Sequence, residues 1–387
     1  MNSEPPLHNG SPIRLFVDAH VFDDLPQGTL TFVREIYKVL AGQPGIRLYL
    51  GAYDTANLAK FFPAGDSIVL IKYKSRSGLR RLLFDIPGII RKHKIDYAHF
   101  QYITPIVKNC KWIVTIHDVL FRDFPDEFSR TYRMMKRLLF GVSAMRADIL
   151  TTVSEYSAGA IRKFLGTGSR PIHVIHNGVS ARYFDPYDVQ RSREYIRAGY
   201  GFGRFLLYVS RIEPRKNHLF LLRAWLDLKL YERGMHLVFL GSESIAVPDF
   251  DRMLGGLAPE VREFVHIDSG IKDGDLLEMY RAATLFVYPS KAEGFGIPPL
   301  EAAALRIPTL CSDSAAMKDF SFFGRNQFDP YDYPAFRQRL QEVLADPPDQ
   351  AFLDEVSAVV RREYSWEVSA LKLYGLLMQD HREPGRE

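Results

Sequence analysis

Short apolar runs alternate with helical patterns along this chain, and after about residue 185 the alternation restarts. Ile13-Arg-Leu-Phe-Val-Asp18 reads as a strand, and Thr29 to Ala41 as its helix, with Phe32, Val33, Ile36 and Leu40 on one face. Further strands are predicted at 46–50, 95–99, 112–116, 149–153 and 172–175, with helical spacing over 130–147 and 155–165. Asn177-Gly178 is a turn signal, and Tyr183-Phe-Asp-Pro-Tyr187 reads as a linker. Strands then recur at 205–210, 237–240, 265–267, 285–288 and 309–311. Helices are predicted at 217–230, 274–283, 299–305 and 334–345, the first capped by Asn217. Apolar strands joined by helices form parallel sheets covered on both faces. A chain of 387 residues exceeds one ordinary core. The expectation is an α/β protein of two doubly wound, Rossmann-like domains, 1–183 and 184–364, with a helical segment at 365–387. Ligands in such folds bind beyond the C-terminal strand ends, which makes a cleft between two such domains the expected site.

Composition removes several function classes. No apolar stretch approaches the roughly 18 residues of a membrane span, and Met1-Asn-Ser-Glu-Pro-Pro lacks the regions of a signal peptide, so a cytoplasmic protein is expected. Cys110 and Cys311 provide neither a disulfide framework nor a metal cluster. Asp249-Phe-Asp251 and Asp273-Gly-Asp275 have the spacing of a metal motif, but neither directly follows an apolar strand, so no metal is expected. Charge is uneven. Residues 1–185 carry 25 Lys and Arg against 16 Asp and Glu, and the remainder 25 against 30. The densest basic stretch, 72–94, holds eight Lys and Arg interleaved with Leu79, Leu82, Leu83, Phe84, Ile86, Ile89 and Ile90. It is either a core helix with a solvated basic face or an interfacial patch for an anionic membrane surface. No nucleic-acid recognition motif accompanies it.

The second half contains Glu293-Gly-Phe-Gly-Ile-Pro-Pro-Leu-Glu301, which follows a predicted strand and runs into a helix that proline can start. Its glycines bring backbone N–H groups close to a ligand, and its carboxylates accept bonds from hydroxyls. Arg211-Ile-Glu-Pro-Arg-Lys216-Asn stands at another strand-to-helix junction, where two cations, Arg211 and Lys216, suit a diphosphate. His117 ends the strand 112–116, placed to bond a sugar or orient an acceptor, and Asp118 after it reads as a cap. Gly28, in Asp23-Asp-Leu-Pro-Gln-Gly28, opens the first helix.

These segments, with Asp275-Leu-Leu-Glu-Met-Tyr-Arg-Ala-Ala, Val114-Thr-Ile-His-Asp118 and Asn177-Gly-Val179, resemble the retaining glycosyltransferases that include sucrose synthases and bacterial mannosyltransferases (family 4, group 1) over about residues 13 to 375. The resemblance implies the GT-B fold, its C-terminal helix crossing back onto the N-terminal domain, and transfer of a hexose from a nucleotide sugar with retained configuration. It further implies that Arg211 and Lys216 clamp the donor diphosphate and that Glu293 contacts the donor sugar. Gly294, Phe295, Gly296 and Ile297 would offer amides, Glu301 would bind the ribose, Ile271 would lie by the base, and Gly28 would approach the phosphates. Arg211, Lys216, Glu293 and His117 are the expected catalytic residues. The aromatic and arginine pattern usual after the first glycine loop is absent.

The Ile-His-Asp-Val-Leu-Phe-Arg-Asp-Phe-Pro run is similar to mannosyltransferases of polysaccharide assembly, making GDP-mannose the first donor, ahead of UDP-glucose and dTDP-rhamnose. The basic stretch favours a glycolipid or polyprenyl-diphosphate oligosaccharide acceptor at the inner membrane face. A nucleotide-sugar epimerase or hydrolase on the same scaffold is the competing reading, and a dinucleotide dehydrogenase is disfavoured because Gly-x-Gly-x-x-Gly is missing after the first strand. Alanine at Lys216 or Glu293 is expected to leave the fold intact and to remove most transfer.

Overall fold

The structure is a computed structural model that describes residues 11–23, 28–125 and 129–382. The chain forms two compact units: residues to Asn177 together with Trp366 onward, and Gly178–Ser365.

The first unit holds seven parallel strands: β1 (Ile13–Asp18), β2 (Ile46–Ala52), β3 (Ile68–Lys72), β4 (Tyr97–Gln101), β5 (Lys111–Thr115), β6 (Ile149–Thr152) and β7 (His173–Val174). Their order is β3-β2-β1-β4-β5-β6-β7, with Leu15 opposite both Leu48 and Tyr97. One face is covered by the helices Ile86–His93, Arg130–Arg146 and Glu155–Leu165. Their buried Ile86, Ile90, Phe140, Ala144 and Ile161 join Phe16, Trp112 and Val114 in a single apolar cluster. The helices Gly28–Leu40 and Trp366–Arg382 pack against each other. Tyr374 Oη donates to Pro44 O at 2.9 Å, and Asp380 accepts from Tyr97 Oη at 2.6 Å and pairs with Lys111 at 2.8 Å.

The second unit holds β8 (Phe205–Val209), β9 (His236–Leu240), β10 (Val265–Asp268), β11 (Leu285–Tyr288), β12 (Thr309–Ser312) and β13 (Gln327–Phe328), all parallel, in the order β10-β9-β8-β11-β12-β13. In both sheets the strand order reverses once, between β1 and β4 and between β8 and β11, while the strands stay parallel. At such a switch point the connections leave on opposite sides and open a crevice at the carboxyl ends of the strands.

Two local expectations change. Tyr183 to Tyr187 is no linker. Tyr183 is buried with its ring 5.8 Å from that of Tyr280, and Tyr187 Oη donates to Leu305 O at 2.6 Å. Asn217 stands at the helix start, but at φ +63° its side chain turns away from the first-turn amides and Nδ2 donates to Pro330 O at 3.0 Å. Asx side chains tolerate this left-handed conformation better than most, so the residue makes the turn there and does not cap.

Candidate active site

The connections after β8 and β11 flank the switch point of the second unit. The first runs through Arg211 to Lys216 and the second through Ser290 to Gly296, and they meet at Glu293. Its Oε1 takes bonds from the Lys216 ammonium, Tyr288 Oη at 2.9 Å and Ser290 Oγ at 2.7 Å, while Oε2 takes Arg215 Nη1 at 3.1 Å. Glu293 and Lys216 are each 7% exposed. Burial alone would raise the carboxyl pKa. The adjacent Lys216 and Arg215 overcome this and hold it at about 2, so Glu293 is an anion. Burial works the other way on Lys216, lowering its pKa against the pull of Glu293.

Arg215 is the residue that sequence reasoning passed over. Its guanidinium also bonds Glu213 and, at 2.8 Å, Ala292 O. It braces the two connections against each other, helped by Lys291 N–H to Arg215 O at 2.8 Å. Arg211, the expected partner of Lys216, is exposed, and among the described residues it forms no ion pair. It lies where β8 ends, so the two expected cations occupy different settings: Lys216 is locked inward and Arg211 projects into solvent.

Gly296 has φ +102°, a conformation that glycine adopts freely, and it leads into the helix Ile297–Ala304. Pro298 and Pro299 carry no N–H, so Gly296 and Ile297 keep the terminal amide donors there. Phe295 is buried against Phe320 and Tyr364, anchoring this turn. Glu301, one turn further on, accepts from Tyr280 Oη at 3.0 Å. Ile271 is half-buried just past β10. Asp249 pairs with Arg252 at 3.0 Å, and Asp275 accepts from Tyr195 Oη at 2.6 Å.

In the first unit His117 follows β5, and its ring meets Phe32 edge-on at 5.0 Å. Phe32 lies one turn after Gly28, so His117 and Gly28 share one end of that sheet. Glycine at 28 is not forced by crowding, since a Cβ there would meet nothing within 4 Å. Of the Asp23–Gln27 approach, residues 24–27 lie outside the described residues. His117 Nε2 donates to Gln101 Oε1 at 2.7 Å, leaving Nδ1 as the ring's acceptor. His99 beside it bonds Tyr37 through Nδ1 and lies 2.7 Å from Thr115 Oγ1 through Nε2. Asp118 Oδ1 accepts from Leu120 N–H at 3.2 Å, as a local cap does. Tyr102, at φ +66° and stacked 4.8 Å from Phe140, closes this region with a backbone conformation that no sequence pattern announced.

Burial holds His117 and His99 neutral down to about 3, with His218 of the second unit alike. An unfolded chain protonates histidine near ~6.5. Below that pH the unfolded state binds protons that the folded state refuses. Stability is therefore complete above about 6.5 and is expected to fall by roughly 1.4 kcal/mol per pH unit per histidine as pH drops toward 3. Melting curves at successive pH values between neutrality and mild acid check this, and a flat melting temperature would refute it.

Known proteins place this architecture. The family model described as Glycosyl transferases group 1 matches residues 189–357, and that of Glycosyltransferase Family 4 matches 26–183. O-antigen chain mannosyltransferase B of Escherichia coli is 26% identical over 259 residues, 66% of this chain and 67% of that one. Serotype-specific mannosyltransferase WbdA of Escherichia coli is 27% identical over 238 residues, 58% of this chain but 28% of that longer protein. Sucrose-phosphate synthase of Thermosynechococcus elongatus superposes with a TM-score of 0.77 over 96% of this chain and 99% of its own, at 19% identity. With its two doubly wound parallel sheets and both family modules in sequence, the chain belongs to the family 4, group 1 glycosyltransferases of the GT-B fold.

Proposed function

We propose that this glycosyltransferase moves mannose from GDP-mannose, with retained configuration, to a lipid-linked or polysaccharide acceptor in cell-surface polysaccharide assembly. The observation that carries the donor site is the buried Lys216–Glu293–Arg215 cluster beside the Gly296 turn, at the switch point of the second sheet. The O-antigen chain and serotype-specific mannosyltransferase relatives support the sugar and the pathway class. In the proposed step an acceptor hydroxyl oxygen bonds to the anomeric carbon on the face the diphosphate leaves. The carbon–oxygen bond to the diphosphate breaks, and a departing phosphate oxygen takes the hydroxyl proton. Arg211, Lys216 and the Gly296 and Ile297 amides meet the growing negative charge, the work a metal does elsewhere. Glu293, fixed as an anion, orients Lys216 and takes sugar hydroxyls at its rim. Glu301 is assigned to the ribose, Ile271 to the base, Gly294 and Phe295 to the donor's hydroxyls or phosphates, and Gly28 and His117 to the phosphates and acceptor side. The basic stretch 72–94 is assigned to the membrane face that presents the acceptor.

A thermal-shift panel of nucleotide sugars tests the donor, since one present at 100 times its Kd stabilises by about 2.7 kcal/mol. GDP-mannose is expected to give the largest shift. Arg211→Ala, at an exposed position, is expected to leave the unliganded stability within about 0.5 kcal/mol of wild type and to lower turnover by roughly 10²–10³. No shift with any nucleotide sugar sinks the reading, and donor consumption without acceptor marks a hydrolase or epimerase instead.

A further inference from the structure

The helices Ile86–His93 and Arg130–Arg146 share one buried cluster on one face of the first unit's sheet, so their outer sides form a single layer. That outer surface carries two features the donor site does not use.

The first is a cavity of about 600 Å³ whose lining includes Lys72, Lys74, Arg80 and Lys92 around Ile71 and Ile89. Among the described residues none of the four cations forms an ion pair. Arg81 turns inward and reaches Asp18 at 3.4 Å. Adjacent residues on a helix point to different sides, and a π-helical turn, Arg81–Asp85, of the kind often found at functional positions follows Arg80. The one acid in the lining, Asp85, is buried and accepts the Lys74 N–H at 3.0 Å. The cavity thus concentrates uncompensated positive charge over an apolar floor. Phe84, 68% exposed, is part of the lining, and Leu79, 70% exposed, directly precedes Arg80.

The second feature is the outward side of Arg130–Arg146. Met134, Leu138, Val142 and Met145 recur at helical spacing and are all exposed, Met134 to 74%. The same helix carries Arg130, Arg133, Lys136, Arg137 and Arg146 and no acidic residue. Ile106, 68% exposed, extends the stripe, and Arg146 donates to its carbonyl at 2.7 Å. Soluble monomers rarely leave apolar groups clustered in this way. Apolar side chains ringed by Lys and Arg match an anionic bilayer, whose phosphates take the cations while its acyl region takes the apolar groups.

We propose that the outer surface of this helical layer docks on anionic phospholipid, with one headgroup phosphate held in the Lys72–Lys74–Arg80–Lys92 cavity and Met134, Leu138, Leu79 and Phe84 entering the acyl region. The proposal deepens the lipid-linked acceptor reading by giving the membrane contact a headgroup site and a second contact helix. It is read without donor or acceptor, so it stands or falls separately from nucleotide-sugar binding.

The test is flotation of the full chain with phosphatidylcholine vesicles, with and without phosphatidylglycerol. Binding is expected only with the anionic lipid and is expected to weaken with salt. Removing a surface cation is expected to weaken binding roughly fivefold, so Lys74→Glu with Lys92→Glu is expected to reduce it by more than tenfold. Met134→Ser with Leu138→Ser is expected to do likewise. All four positions are exposed, so circular dichroism is expected to match wild type. Equal binding to both vesicle types, or unchanged binding in either double variant, overturns the proposal. So does a melting shift with inorganic pyrophosphate that the charge reversal abolishes while vesicles stay unbound, because it assigns the cavity to a soluble phosphate.

Discussion

Glu293→Ala is expected to destabilise the Gly178–Ser365 unit by about 3–5 kcal/mol, because removing one partner of a buried pair strands the other. Lys216 and Arg215 are both buried around that carboxylate, and Tyr288 and Ser290 lose their acceptor with it. For a unit of this size the loss corresponds to a fall in melting temperature of roughly 6–20 °C. This amends the simpler expectation of an inactive but normally folded variant. Glu293→Gln separates the two effects. It keeps the volume and two acceptor lone pairs but loses the charge, so it is expected to recover part of the stability while transfer stays depressed by roughly 10²–10³. Differential scanning calorimetry beside initial-rate assays decides the matter. A Glu293→Ala protein that melts like wild type would show that the cluster is not the coupled unit its geometry describes, and full turnover in Glu293→Gln would remove the anion from the mechanism.

Gly241→Ala is expected to be as damaging without touching any charged group. Gly241 directly follows β9 at φ +146°, and a Cβ there would lie 2.1 Å from Ser210 O. That oxygen belongs to the backbone where β8 gives way to the Arg211 connection, and Ser210 N–H is already bonded to Leu240 O at 2.9 Å. Either strand must shift, which displaces Ile212 from its bridge to Glu243 and carries Arg211 and Glu213 with it. Backbone strain of this kind costs of order 1–3 kcal/mol, before the displaced packing is counted. Weak soluble expression, or a melting temperature at least several degrees below wild type, is expected. A variant with native stability and native donor affinity would contradict the close approach.

The repeating strands and helices are legible because the central strands, such as Tyr97–Gln101, Ile149–Thr152 and Leu285–Tyr288, are buried on both faces. Ile68–Lys72 was not read as a strand: it is an edge strand, half-buried along its length, and lysines blur its end. The helix Val189–Tyr200 was missed because Ser192 and Ile196 are its only buried residues, too few for a periodic stripe. Gln327–Phe328 is too short to leave a pattern. Within the site, strand-to-helix junctions marked the right connections, but not which side chain of Arg211-Ile-Glu-Pro-Arg-Lys216 turns inward. The turn Pro214–Lys216 decides that by burying Arg215 and Lys216 together. The contact of Lys216 with Glu293 spans 77 residues and exists only once β8 and β11 are neighbours. Reading the residues singly gave the chemistry of each, and the fold supplied their pairing.

The helix Trp366–Arg382 completes a unit whose other residues end at Asn177, with Gly178–Ser365 intervening. On a ribosome, at 5–20 residues per second, the 188 intervening residues take roughly 10–40 s to make. During that time the helix Gly28–Leu40 lacks the helix that later packs against it, including the Trp366 ring that comes to lie 6.3 Å from Phe32. The second unit is therefore the first to have its whole sequence available, and the order of maturation runs opposite to the order of synthesis. A nascent chain released before Trp366 would carry the whole Gly178–Ser365 unit joined to a first unit that still lacks its last helix.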